Sequence, residues 1–203
     1  VMKDAIELWH CMYKNNPPWR GGKENVIPLN LPAAISEEFA RLILTEFDIS
    51  ISGGAMGEFL DKQLKEQLKE LNKFMELYCA GGGIIIKPYV GGIDENGQPT
   101  DIELDFVKTV DFYPCAFNSK GTVTAAVFVD GKKVGNYLYT RLEYHELEGK
   151  KYTIVNKAFK SEEIYQYEDD GTYSVKDRFD QEVPLSEVAE WEGLSEEPVI
   201  IEG

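Results

Sequence analysis

Residues 118–171 read NSKGTVTAAVFVDGKKVGNYLYTRLEYHELEGKKYTIVNKAFKSEEIYQYEDDG. Four turn signals punctuate the stretch: Asn118-Ser119-Lys120-Gly121, Asp130-Gly131, Glu148-Gly149 and Asp169-Asp170-Gly171. Between them lie Thr122–Val129, Asn136–His145, Lys151–Lys160 and Ile164–Glu168, rich in Val, Ile, Thr, Tyr and Phe. β-Branched and aromatic side chains suit a pleated, half-buried surface. Glycine after Asp or Asn supplies the positive φ that tight hairpins need. This half of the chain therefore predicts an antiparallel meander.

Outward from it, the N-terminal half predicts helices. Met2–Tyr13 carries Ile6, Trp9 and Tyr13 at helical spacing, and Asn15-Asn16-Pro17-Pro18 stops it. A second helix is predicted from Pro32 to about Phe47, with the stripe Ile35, Phe39, Leu42, Ile43 and Phe47. Asp48–Ser52 alternates as a short strand. A long helix then runs to about Cys79, buried along Leu60, Leu64, Leu68 and Leu71, and Gly81-Gly82-Gly83 ends it. Ile84–Val90 reads as a central strand. Thr100–Lys108 alternates Asp101, Glu103 and Asp105 with Ile102, Leu104 and Phe106. A short extended piece, Val110–Tyr113, is stopped by Pro114. Pro184–Glu190 reads as a short helix and Val199-Ile200-Ile201 as a strand.

These readings predict one α+β domain over 1–203. Its helical part covers about 1–80 and its mainly β part about 81–203, with the helices packed on an antiparallel, hairpin-rich sheet. Trp9, Phe39, Leu42, Ile43, Leu64, Leu68, Leu71, Ile84, Ile86 and Val127 are the expected core.

The 203 residues carry a formal net charge of −15. That balance argues against tight binding to nucleic-acid phosphates, which needs clustered Lys and Arg, and against anionic membrane surfaces. It suits a surface that nucleic acid passes without sticking, because like charges repel. No apolar run approaches the roughly 20 residues that span a bilayer. Cys11, Cys79 and Cys115 lie far apart. An odd, sparse set argues against a disulfide framework, and each is expected as a small buried hydrophobe in a reducing compartment.

Each chemical motif is outweighed by a plainer reading. Gly53-Gly54-Ala55-Met56-Gly57 before a helix fits neither glycine-rich phosphate motif and is expected as a connector. Asp101, Glu103 and Asp105 share a strand face but spread along it, as a solvated surface does. Asp94-Glu95-Asn96-Gly97 lacks the calcium-loop spacing and is a turn. His10 adjoins Cys11 with no third ligand spaced nearby. His145, with Glu143 and Glu146, offers an acid–base pair without a nucleophile signature. The tyrosines at 137, 139, 144, 152, 165, 167 and 173 lack the basic groove of a single-strand platform, so sheet packing or a protein contact is preferred. No catalytic, cofactor-binding or metal-binding residue is assigned.

The order of segments carries a resemblance. A Trp-bearing helix leads to Trp19, then to Leu29-Asn30-Leu31-Pro32-Ala33-Ala34-Ile35-Ser36-Glu37-Glu38-Phe39-Ala40-Arg41-Leu42. A long helix closes on Ala80-Gly81-Gly82-Gly83, followed by Ile84-Ile85-Ile86-Lys87-Pro88-Tyr89. Then come Phe112-Tyr113-Pro114, Ala126-Val127-Phe128 and Tyr139-Thr140-Arg141-Leu142-Glu143-Tyr144-His145. This arrangement resembles the portal proteins of tailed bacteriophages, over most of the chain and through structural motifs. The resemblance implies a homo-oligomeric ring, typically of twelve subunits, at one capsid vertex of the virion, assembled in the bacterial cytoplasm. DNA packaging and ejection run through its channel. Terminase, head-completion proteins and capsid protein are the implied partners. The resemblance implies that the chain corresponds to the N-terminal, wing-like region, with no evident match in it for the stem, clip and crown.

The expected function is therefore a non-catalytic part of the phage portal vertex. The alternatives are another head–tail connector or protein-binding module, or an enzyme built on His145 and a neighbouring carboxylate.

Overall fold

A computed structural model describes residues 2–20, 27–96, 99–167 and 173–202. The chain is α+β. Its contacts divide it into two compact units, Val1–Val110 and Asp111–Gly203. The boundary thus falls some thirty residues beyond the anticipated change from helix to strand, because one β-hairpin belongs with the helices.

In the first unit, α1 spans Met2–Tyr13, α2 Leu31–Leu44, α3 Gly54–Gln67 and α4 Leu71–Gly81. Strands β1 (Ile84–Ile93) and β2 (Pro99–Lys108) pair antiparallel, with Ile86 opposite Phe106. Helix α2 packs on α4, and α4 packs on the hairpin, where the Phe74 and Phe106 rings stack at 4.1 Å. Three expectations change here. Asp48–Ser52 is not a strand; its Ile51 N–H donates to Asp61 Oδ1 at 2.8 Å, tying the segment to α3. The long helix is broken by a 3₁₀ turn at Leu68–Glu70, with no Gly or Pro to signal it. Helix α3 packs on β2 whereas α4 packs on α1, α2 and the hairpin, so tertiary contacts place the break. Strand β1 is not central; its sheet has two strands and Ile86 is exposed.

The helix faces also differ from expectation. The buried residues of α2 are Ser36 and Ala40, the latter 0% exposed. The large residues Phe39, Leu42 and Ile43 are about half exposed instead. Small side chains let two helix backbones approach closely, so the Ser36–Ala40 face, and not the bulkier one, meets its neighbour. Trp9 and Ile86 join the exposed set, while Leu64, Leu68, Leu71, Ile84 and Val127 are half-buried.

In the second unit, β3 (Phe112–Phe117), β4 (Val123–Val134), β5 (Tyr137–Glu148), β6 (Lys151–Tyr167) and β7 (Tyr173–Val183) follow in spatial order. Strand β8 (Val199–Glu202) pairs with Lys151–Ile154 of β6, and β7 pairs with the rest of it from Ala158. Every pairing is antiparallel. The meander is present with shifted punctuation. Asn118–Gly121 turns as expected, and Asn118 Oδ1 accepts from the Lys120 and Thr122 N–H groups. Asp130-Gly131 does not turn: Asp130 faces Arg141 and Gly131 faces Thr140 inside the ladder. The chain reverses at Gly135-Asn136, where Gly135 has φ 62°, as a type II′ hairpin requires of its first loop residue. Glu148 and Lys151 close the next hairpin around Gly149. Asp169-Asp170-Gly171 lies outside the described residues. Strand β6 runs unbroken through Lys160–Ile164, and β3 runs through Pro114, which an edge strand tolerates.

Two 3₁₀ turns, Leu185–Glu187 and Ala189–Trp191, replace the short helix expected at Pro184–Glu190. They lay Leu185, Val188 and Trp191 against Tyr139 and Ala158, forming the core of this unit. Cys11 and Cys79 are half-buried, but Cys115 is exposed, as are its neighbours from Pro114 to Phe117 at the end of edge strand β3.

Candidate functional site

Successive residues of a strand point to opposite faces, so Tyr139, Arg141, Glu143 and His145 of β5 share one. The register sets Asp130, Phe128 and Ala126 of β4 beside Arg141, Glu143 and His145. On the other flank it sets Ala158, Asn156 and Ile154 of β6. The result is a row of polar groups on the face that Trp191 caps.

The row is continuous. Trp191 Nε1–H donates to Asp130 Oδ2 at 2.9 Å, and Arg141 Nη2 lies 3.9 Å from the same oxygen. Arg141 Nη1 donates to Glu143 Oε2 at 2.7 Å and to Asn156 Oδ1 at 3.3 Å. Glu143 Oε1 meets His145 Nε2 at 2.5 Å, and His145 Nδ1 meets the Tyr152 hydroxyl. Phe128 closes the side with an edge contact to the imidazole at 4.9 Å. Burial, and then the Glu143 charge, push the Tyr152 hydroxyl above the ordinary tyrosine range. An ionised carboxylate can only accept, so Nε2–H is the donor to Glu143, while Nδ1 shares its hydrogen bond with the Tyr152 hydroxyl.

Chemically the row is a closed chain. A general base needs a lone pair within reach of substrate, yet both imidazole nitrogens are engaged and His145 is only 8% exposed. Arg141 Nε is buried without a hydrogen-bond partner, and the guanidinium carbon lies 6.0 Å from the centre of the Trp191 ring. Such an arrangement orients strands β4, β5 and β6 against one another. The sequence singled out His145 and Glu143 from this row and missed Asp130, Arg141, Asn156 and Trp191. The alternation along β5 was the available signal.

The remaining candidates separate. Asp101 accepts from Gln63 and Thr100, Glu103 from the Tyr89 hydroxyl at 2.6 Å, and Asp105 lies 3.7 Å from Lys87 Nζ. Among the described residues, no group of three His, Cys, Asp or Glu is arranged to hold a metal ion. Asp94 Oδ1 accepts from the Asn96 N–H, a local turn, and Gly97 lies outside the described residues. Gly54–Gly57 is the first turn of α3 and not a connector ahead of it; a Cβ at Gly57 would meet the Ser52 carbonyl carbon at 2.8 Å. His10 sits in the last turn of α1. Lys160 Nζ lies 4.1 Å from the Tyr137 ring centre and 5.5 Å from that of Tyr139, so these tyrosines serve packing within the sheet.

The second candidate is a surface. Phe39, Leu42 and Ile43 of α2, with Phe47 beyond it, form an exposed apolar stripe at helical spacing. A Glu38–Arg41 ion pair borders it. Contiguous exposed apolar patches mark contact sites. Comparison with protein-family models, curated proteins and solved structures finds no match to this chain.

Proposed function

We propose that this chain is a non-catalytic structural subunit of a tailed-bacteriophage portal vertex, forming part of the ring through which DNA is packaged and ejected. The order of sequence segments, from the Trp-bearing helix to Tyr139–His145, is what supports the family reading. The observation that carries the assembly is the α2 stripe: half of the surface of Phe39, Leu42, Ile43 and Phe47 faces water. Such a patch, repeated on every copy, is what a ring of identical subunits needs at its joints. The self-contained hydrogen bonding of His145 fits a part that works by shape. The net charge of −15 lets DNA pass without being held.

On this reading the partners are further copies of the subunit, terminase, head-completion proteins and capsid protein. Electron microscopy and mass photometry of the protein at its full gene length test the reading. Rings are expected from the unaltered protein, and smaller species from a Phe39→Glu, Leu42→Glu variant. Full-length protein that forms no ring overturns the portal assignment.

A further inference from the structure

We propose that the groove between α1, α2 and α4 binds a protein segment presenting a bulky apolar side chain next to a Lys or Arg. The groove has two compartments. One, of about 300 Å³, is lined by Trp9, Met12, Leu31, Ile35 and Cys79, among others. The other, of about 560 Å³, is lined by Lys14, Asn30, Ala33, Glu37 and Glu76, among others. Tyr13 lines both, and its hydroxyl donates to Glu76 Oε1 at 2.8 Å.

The two compartments differ in chemistry. The first offers an indole, two branched aliphatics and sulfur atoms, which take a large apolar side chain by dispersion and dehydration. Trp9, Leu31 and Ile35 are all exposed at its rim. The second holds two carboxylates against one ammonium. Its negative field is felt by Tyr13, whose hydroxyl is pushed up to about 12 by burial, by Glu76 and by Glu37. A cation placed there meets the charges of Glu37 and Glu76, which line the same compartment, while its apolar neighbour fills the first. An amphipathic segment laid into a groove supplies that pair of groups from adjacent turns. An acidic segment would be repelled, in a chain already carrying −15.

The inference goes beyond the portal reading and does not depend on it, since the groove lining includes none of Phe39, Leu42, Ile43 and Phe47. Selection of displayed random dodecapeptides against the full chain tests it. Enriched peptides are expected to place Leu, Phe or Trp within about one helical turn of Lys or Arg. Fluorescence polarisation of one such peptide should show binding weakened at least about tenfold by Ile35→Asp. Glu37→Lys should weaken it severalfold, with a smaller salt dependence. Phe39→Glu should leave it unchanged. Enriched peptides without a basic residue, or binding indifferent to both groove variants, overturn the proposal. So does failure to enrich any peptide, together with an Ile35→Asp change that dissolves self-association in sedimentation; a second copy would then be the occupant. Rings without peptide binding sink only this inference, and peptide binding without rings sinks only the portal assignment.

Discussion

The indole of Trp191 donates to the Asp130 carboxylate at 2.9 Å, across 61 residues of chain. That bond fastens the second 3₁₀ turn to the middle of β4, and Trp191 is 2% exposed where it covers the sheet. Trp191→Phe keeps most of the apolar contact and removes the donor, and should cost about 1–2 kcal/mol. Trp191→Ala should cost about 3–5 kcal/mol. Urea unfolding followed by circular dichroism measures both. Equal losses for the two variants would show that the hydrogen bond, not the buried ring, dominates.

Glu143 accepts from Arg141 with one oxygen and from His145 with the other. Glu143→Ala strands both donors in a mostly buried site and should destabilise the second unit by about 3–5 kcal/mol. Glu143→Gln should cost less. Its carbonyl still accepts from Arg141, and its amide can donate to His145 Nε2 once the imidazole takes the Nδ1–H tautomer. Denaturation midpoints of the two variants check the order. A Gln variant as unstable as the Ala variant would mean that the carboxylate charge is essential.

The two faces of α2 predict opposite sensitivities. Ala40→Leu forces a larger side chain into a fully buried site and should cost about 1–3 kcal/mol. Phe39→Glu lies on the exposed stripe and should shift stability by no more than about 0.5 kcal/mol while improving solubility. Thermal unfolding of both variants compares them. A Phe39 variant that unfolds as readily as the Ala40 variant would place the stripe inside the fold.

Tyr13 gives a pH signature. Burial, the hydrogen bond to Glu76 and the charges of Glu76 and Glu37 push its hydroxyl to about 12, from an ordinary value of about 10. The fold favours the protonated phenol. As pH rises, the unfolded chain loses this proton first, so stability falls between about pH 10 and pH 12 and is complete below that window. Tyr13→Phe should flatten that fall and delete one late phenolate from the ultraviolet titration. Tyr89, also pushed to about 12 by its bond to Glu103, remains as the internal reference. A deleted phenolate that titrates near 10 would contradict the Glu76 contact.

Element type was legible because it follows from local chemistry. Met2–Tyr13 is helical at the anticipated bounds, and β2 covers the alternation read at Thr100–Lys108. Turn position was less so: Asp130-Gly131 and Gly135-Asn136 both look like hairpin tips. Gly131 stays in the ladder because that register sets Asp130 beside Arg141 and under Trp191. The row from Asp130 to Tyr152 could be glimpsed as alternation along β5, but its membership depended on β4 and β6 lying alongside.

The sequence alone determined the α+β character, the acidic surface and where most helices and strands lie, because propensity and period act between near neighbours along the chain. Only the tertiary structure decided that Ser36 and Ala40 are buried while Phe39 and Leu42 face water, and that Trp191 seals the sheet. Those outcomes turn on how closely two surfaces can approach and on which backbone register brings remote groups together. Neither quantity is a property of any single segment.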